Sequence, residues 1–135
     1  MSSDSILYSP YNLPCGVTAR NRLVKAAMEE NMSSMGNIPG ESLYSLYRYW
    51  AHGNLGMVIT GNVMVDKAAM TGPGGVALEK ETDIAPFQKW AKIIKSNGAL
   101  AIMQINHPGR QVFKAMQGKA IAPSAVPLDM GKHSK

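Results

Sequence analysis

The chain has 135 residues, a formal net charge of +5 and 45% hydrophobic residues. With 17% charged residues, this is the composition of a globular domain and not of a disordered chain. Its Lys and Arg residues are scattered along the chain, so a solvated surface is expected and nucleic-acid binding is not. A single cysteine, Cys15, excludes an internal disulfide and a thiolate metal site. No apolar stretch approaches the roughly 20 residues needed to cross a bilayer, so we predict a cytoplasmic protein without a membrane span.

The first predicted elements are a small hairpin and a short strand. Residues 13–17, Leu-Pro-Cys-Gly-Val, are typical of a hairpin turn, and residues 23–27 are a short strand candidate. A helix is predicted over residues 41–52, where apolar side chains recur at helical spacing and Gly53 follows as a stop. The apolar stripe of this helix comprises Leu43, Leu46, Tyr47 and Trp50.

Two further strands and a second helix are predicted in the rest of the chain. Residues 57–60 and 99–105 are continuous apolar runs, which favour parallel strands covered on both faces. Between them, a helix is predicted over about residues 84–96, with Thr82 or Asp83 as its cap and Pro86 in its first turn.

The order strand, helix, strand, helix, strand predicts an α/β fold with a parallel sheet and right-handed crossovers. This pattern alone fits both a barrel and a doubly wound sheet. A barrel of eight strand–helix units typically needs about 250 residues, so a barrel interpretation treats the 135-residue chain as incomplete.

Functional groups of parallel α/β proteins gather at the carboxyl ends of the strands. The residues at or just after the ends of the three predicted strands are Ala27, Met28, Glu29 and Glu30, then Gly61 and Asn62, then Gln104, Asn106 and His107. This set is rich in amides and backbone donors and poor in nucleophiles and bases, so no catalytic residue is assigned. Neutral donors and acceptors suit the edge of a flavin ring, where the cofactor itself carries the chemistry.

Several other motifs are interpreted as structural. Residues 72–75, Gly-Pro-Gly-Gly, lack the Lys-Ser/Thr of a phosphate-binding loop and are interpreted as a turn. The pair Glu29-Glu30 has no His or Asp nearby to complete a metal site, and no metal is predicted. His107 is interpreted as part of a rigid His-Pro-Gly-Arg loop. For Arg110, a loop carboxylate and a substrate remain equally good partners.

Four motifs in order along the chain resemble the Old Yellow Enzyme family of flavoproteins. They are Asn21-Arg22-Leu23-Val24-Lys25-Ala26-Ala27-Met28, Val58-Ile59-Thr60-Gly61-Asn62, Gln104-Ile105-Asn106-His107-Pro108-Gly109-Arg110 and Ala122-Pro123-Ser124-Ala125. They are similar to the family's first three barrel strands and to the segment that follows them. Together they cover nearly the whole chain.

The resemblance implies that residues 1–135 are a single partial domain, the N-terminal part of a TIM (β/α)₈ barrel that binds FMN. It implies an oxidoreductase that takes hydride from NAD(P)H and passes it through FMN to a small-molecule acceptor, an activated alkene or a related compound. By the same resemblance, Ala27 and Met28 contact the flavin ring through their backbones. Asn62 offers a backbone N–H to the ring, and Gln104 bonds its pyrimidine edge. Glu29 is also expected to bind beside the flavin, at a position where many members carry a Thr or Cys that tunes the flavin potential. A carboxylate departs from those members at this position.

The family's carbonyl-binding pair and phosphate site lie on later strands, beyond Lys135. Three strands of an eight-strand barrel leave an unpaired edge and an uncovered interior face. Two interpretations keep the family: a truncated product without activity, and a split enzyme in which a complementary chain supplies strands four to eight. A third is a flavodoxin-like binding module that closes its own sheet. The oligomeric state is left open.

Overall fold

The computed structural model describes residues 5–112, 118, 120–129 and 131. In this part of the chain, a short hairpin precedes a four-stranded sheet that packs against two helices. In chain order the strands and helices are β1 Tyr11–Asn12, β2 Thr18–Ala19, β3 Val24–Lys25, α1 Glu41–Ala51, β4 Met57–Met64, β5 Val76–Ala77, α2 Ala85–Lys95 and β6 Leu100–Asn106. The predicted alternation of strands and helices is confirmed.

The sheet is parallel and is organised around β4. On one edge, β4 pairs with β3 near its start and with β5 near its end, and on the other edge it pairs with β6. The registers that define these pairings are Val24↔Met57, Val63↔Val76 and Met57↔Leu100. All four carboxyl ends therefore point the same way, as the sequence pattern predicts.

The hairpin that precedes the sheet turns at the predicted residues. β1 and β2 are antiparallel, and the Leu13 N–H donates to the Val17 carbonyl at 2.8 Å. Gly16 sits inside this turn with φ +85°, a conformation that a side chain disfavours.

Helix α1 buries one face against the sheet and the second helix. Its buried residues are Leu43, Tyr44, Tyr47 and Ala51. Leu46 and Trp50, which the sequence pattern places on the apolar stripe, are half-buried at its border. The predicted helix is confirmed, with the buried face rotated slightly toward Tyr44.

Helix α2 begins near the predicted position and carries Pro86 in its first turn, where no intrahelical N–H is lost. Asp83 Oδ1 accepts the Ala85 N–H at 2.9 Å, whereas Thr82 Oγ1 accepts the Glu79 N–H instead. The N-cap position is Ile84, which makes no side-chain capping bond, so the predicted cap at Thr82 or Asp83 is wrong, although Asp83 does bond the first helical N–H. The buried face consists of Phe87, Trp90 and Ile94.

The main core lies between the helices and one face of the sheet. Tyr47 packs edge-on against Trp90 with ring centroids 5.0 Å apart, and Val58 and Val63 of β4 join the same cluster. Each such side chain contributes roughly 1.5–3 kcal/mol when fully buried. A second, smaller cluster of Met64, Met70 and Ala77 lies at the carboxyl end of the sheet.

Strand β4 is longer than the sequence pattern predicts. The apolar run indicated an end at Thr60, but the strand continues to Met64. The register shifts between Ile59 and Asn62, so two residues of β4 oppose one residue of β6. Gly61 and Asn62 therefore belong to a bulged strand and not to a loop.

The glycine-rich segment at residues 72–75 is a turn, as predicted, and leads into the two-residue strand β5. No helix in the described part of the chain has the length and apolarity of a membrane span. The cytoplasmic location stays a prediction.

Candidate functional site

Gln104 and Asn62 meet at the carboxyl ends of neighbouring strands. They are direct partners in the parallel pairing of β6 with β4, and Gln104 Nε2 donates a hydrogen bond to Asn62 Oδ1 at 2.7 Å. Both residues are half-buried. Since side chains alternate along a strand and Val63 belongs to the main core, this amide pair faces away from the helices.

Asn106 and Met64 are the next pair of opposed residues on the same face of β6 and β4. Asn106 Nδ2 lies 3.5 Å from Met64 Sδ, one alternation beyond Gln104 and Asn62. The face at the carboxyl end of the sheet therefore carries half-buried neutral amides, with Met64 fully buried beside them, and the amides suit a polar, uncharged ring edge.

The bulge in β4 depends on Thr60. The Gln104 N–H donates to Thr60 Oγ1 at 3.0 Å, and the Thr60 hydroxyl donates to the Gly61 carbonyl at 2.8 Å. Thr60 is buried, so these bonds satisfy backbone groups that the shifted register would otherwise leave without a partner.

The segment after β3 crosses closely over the bulge. A Cβ on Gly61 would overlap both the Met28 carbonyl oxygen and the Glu30 carboxylate. Glycine is required here by the close approach of two chain segments. The crossing brings Met28 and Glu30 next to Gly61, so two of the predicted groups of site residues adjoin.

The two neighbouring glutamates have different environments. Glu29 is exposed and accepts a hydrogen bond from the Thr71 hydroxyl, whereas Glu30 is turned inward. Met28 is half exposed and Ala27 half-buried beside it. Glu29 thus points toward the segment before β5, and Asn62 and Gln104 form the polar centre of the site.

A buried cluster of Lys25, Glu30 and Tyr47 lies beneath the bulge, and sequence reasoning missed it. The Tyr47 hydroxyl donates to Glu30 Oε1 at 2.5 Å and accepts the Gly61 N–H at 3.0 Å. Lys25 Nζ donates to the Ile59 carbonyl at 3.0 Å and forms an ion pair with Glu30 at 3.5 Å. The signal in the sequence was a lysine within an apolar strand, where a charge requires a partner.

Burial governs the electrostatics of this cluster. The pKa of the Lys25 ammonium is lowered mainly by removal from water, and the Glu30 carboxylate opposes that shift. The pKa of the Tyr47 hydroxyl is raised well above its usual range, first by burial and then by its hydrogen bond to Glu30. Tyr47 therefore remains a neutral donor at all ordinary pH values.

The loop after β6 behaves as a turn. His107 Nδ1 accepts the Gly109 N–H at 3.0 Å, which agrees with the structural role predicted for the His-Pro-Gly-Arg loop. Arg110 is exposed on the short 3-10 turn Gly109–Gln111. In the described ranges, no group of three or more His, Cys, Asp or Glu side chains is placed to hold a metal ion.

Parallel strands that alternate with helices define an α/β protein, and its candidate site lies where polar residues meet at the carboxyl ends of β4 and β6. A model of the NADH:flavin oxidoreductase / NADH oxidase family matches residues 6–135. The chain therefore belongs to this family, whose cofactors are FMN and NAD(P)H. The resemblance to Old Yellow Enzyme and the expected cofactors are confirmed at the level of the family.

Relatives match over most of this chain but over a minor part of their own length. An NADH-dependent flavin oxidoreductase of Hypocrea jecorina (strain QM6a), iliE, is 39% identical over 131 residues, 90% of this chain and 33% of that protein. An NADH:fumarate oxidoreductase of Klebsiella pneumoniae (strain 342) is 32% identical over 128 residues, 93% of this chain and 14% of that protein.

The fold is that of the first part of a TIM barrel. The Old Yellow Enzyme from Pichia sp. AKU4542 superposes with a TM-score of 0.78 at 21% identity, covering 93% of this chain and 33% of that one. The expected fold class, part of a (β/α)₈ barrel, is confirmed. This chain spans about a third of the length of the Hypocrea and Pichia proteins.

Proposed function

We propose that residues 1–135 form a single partial domain that supplies the flavin-edge contacts of an FMN-dependent oxidoreductase. The enzyme would pass hydride from NAD(P)H, through FMN, to an activated alkene or a related acceptor. The observation that carries this proposal is the Gln104–Asn62 amide pair at the carboxyl ends of β6 and β4, in a chain that belongs to the flavin oxidoreductase family.

The amide pair fits the chemistry of a flavin edge. Its internal hydrogen bond uses one N–H of the Gln104 side chain, and a primary amide has a second N–H and a carbonyl oxygen for a ligand. The pyrimidine edge of an isoalloxazine presents carbonyl oxygens and a ring N–H, so an amide matches it in both directions. In this arrangement Gln104 donates to Asn62 through Nε2.

The neighbouring segments complete the proposed cradle. Ala27 and Met28 offer backbone groups beside Gly61, and Asn62 offers its own N–H at the end of the bulge. Glu29 is placed at the outer border, where its carboxylate accepts from Thr71. When bound, FMN supplies the hydride chemistry, and this chain binds and orients the ring and excludes water from one edge of it.

The acceptor class of this proposal, an activated alkene, comes from the family resemblance, and the name of one relative agrees with it. The Klebsiella relative is named for fumarate, whose double bond is activated by two carboxylates. By the resemblance, the groups that clamp such an acceptor belong to later strands. The proposed enzyme therefore needs barrel strands beyond β6, in the same polypeptide or in a complementary chain, and a truncated product lacking them is non-catalytic.

The open edge and the exposed apolar side chains of β6 support the proposal that further barrel strands are needed. In the described part of the chain β6 pairs with β4 alone, and Ile105 and Ile102 are 69% and 40% exposed. An open strand edge with apolar side chains is normally covered in a native protein. A flavodoxin-like module that closes its own sheet would be expected to cover this edge, so the open edge of β6 argues against that alternative.

Titration with FMN of the complete protein, meaning this chain together with the remaining barrel strands, tests the proposal. Stoichiometric binding is expected, with a perturbed flavin absorption spectrum and quenched fluorescence. Addition of NADH under anaerobic conditions should bleach the bound flavin, and 2-cyclohexenone, an activated alkene, should restore its colour. A folded protein that leaves free FMN unperturbed would refute the proposed function.

A further inference from the structure

The β4 bulge decides which way Asn62 faces. Ile59 pairs with Ile102, and Asn62 pairs with Gln104, so β4 uses one residue more than β6 between these two pairs. Strict alternation from Ile59 would turn Asn62 toward the helices, because side chains change face at every residue. The extra residue restores Asn62 to the face that Gln104 occupies.

A bulge leaves backbone groups outside the ladder, and here buried side chains bond two of them. The Ile59 carbonyl accepts from Lys25 Nζ at 3.0 Å, and the Gly61 N–H donates to the Tyr47 hydroxyl at 3.0 Å. Glu30 holds both partners, through the Tyr47 hydroxyl at 2.5 Å and the Lys25 ammonium at 3.5 Å. The bulge is thus bonded on both sides to one buried cluster.

The cluster is buried as well as polar. The side chains of Lys25 and Glu30 are 7% and 8% exposed, and the Lys25 ammonium lies 4.4 Å from the centre of the Trp50 ring. Three different elements supply its members: β3, the segment after β3, and α1. A buried network that joins three elements restricts the positions open to the backbone between them.

We propose that Lys25, Glu30 and Tyr47 are positioning residues for the flavin edge: by fixing the β4 bulge, they set the place of Gly61 and Asn62 relative to Gln104. This inference rests on the proposed function, because it assigns the cluster a role at the same site. Lys25 and Tyr47 bond the backbone of the bulge directly, and Glu30 bonds both of them. Their effect passes through the Gly61 N–H and the Ile59 carbonyl.

The test compares two tyrosine variants of helix α1 in the complete FMN-loaded protein. Tyr47→Phe removes the hydroxyl that bonds Glu30 and Gly61 while the ring stays in the core. Tyr44→Phe is the matched control, because its buried hydroxyl bonds the carbonyls of Pro39 and Pro86 at 3.0 Å, away from the bulge. The measurements are the FMN dissociation constant, the absorption spectrum of the bound flavin and its midpoint potential.

Tyr47→Phe is expected to weaken FMN binding about tenfold and to shift both the spectrum and the potential, whereas Tyr44→Phe leaves all three near the wild-type values. If both variants match the wild type, the positioning role is refuted and the proposed function stands. If the wild type itself fails to bind FMN, both proposals are overturned.

Lys25→Met provides a second variant if Tyr47→Phe does not fold. It removes the bond to the Ile59 carbonyl and keeps a long apolar stem. The same spectral shift is expected, and an unchanged spectrum and potential would overturn the inference.

Discussion

Gln104 and Asn62 stand opposite each other on two parallel strands and are joined by a 2.7 Å hydrogen bond between their side-chain amides. The pairing depends on an irregularity, since a regular β4 would present Asn62 to the other face of the sheet. The polar centre of the site is therefore built from sequence positions that are separated by more than 40 residues and aligned by one bulge.

Gly61→Ala should destabilise the protein. The added Cβ would meet the Met28 carbonyl oxygen and the Glu30 carboxylate, and overpacking of this kind costs about 1–3 kcal/mol. Chemical denaturation measures the loss. Gly72→Ala is the control, because a Cβ there meets nothing within 4 Å, and its stability should stay within about 0.5 kcal/mol of wild type. Equal stabilities for the two variants would contradict the close crossing at Gly61.

The stability contributed by Tyr47 should disappear at high pH. Burial and the bond to Glu30 raise the pKa of the Tyr47 hydroxyl, so above about pH 10 the unfolded chain loses a proton that the folded protein keeps. Its contribution is complete below the unfolded pKa and is lost as the pH rises toward the folded pKa.

The measurement compares the unfolding free energies of wild type and Tyr47→Phe. The advantage of wild type should shrink by about 1.4 kcal/mol between pH 9 and pH 11, since a tyrosine of ordinary pKa near 10 titrates in the unfolded chain. Tyr44→Phe does not serve as a pH-silent control, because burial also raises the pKa of Tyr44. A constant difference across this range would show that Tyr47 titrates normally.

The open side of β6 should drive self-association of the 135-residue chain. Ile105 is 69% exposed on the edge strand, and Ile105→Lys should weaken self-association about tenfold by placing a charge there. Tyr49→Lys is the control, because Tyr49 is 79% exposed on α1, away from β6. Sedimentation at several concentrations measures the effect. Equal weakening by both variants would indicate a general effect of charge.

The elements with a strong hydrophobic period were predictable, and the contacts between them were not. Helix α2 repeats apolar residues at helical spacing, and Ala85–Lys95 lies within the predicted bounds. The end of β4 was misjudged because Gly61 and Asn62 are ordinary loop residues, and only tertiary partners keep them in a strand.

The candidate site was also predictable only in part. Gln104 and Asn62 could be predicted as site residues because each lies near the end of an apolar run. The structure brings their side chains together. Their contact with FMN stays a prediction. The buried cluster was missed because Glu30 was interpreted together with Glu29, its neighbour in sequence. In the fold Glu30 instead faces Lys25 and Tyr47, and this arrangement depends on how the segment after β3 folds back.

FMN titration of the complete protein tests the role of the amide pair most sharply when Gln104→Ala is compared with Gln88→Ala, a change at an exposed glutamine of α2 that serves as the control. Gln104→Ala should weaken FMN binding about tenfold, since a hydrogen bond to the ring is lost, while Gln88→Ala should bind FMN as the wild type does. Unchanged FMN affinity in folded Gln104→Ala would remove the amide pair from the flavin site and contradict the central claim.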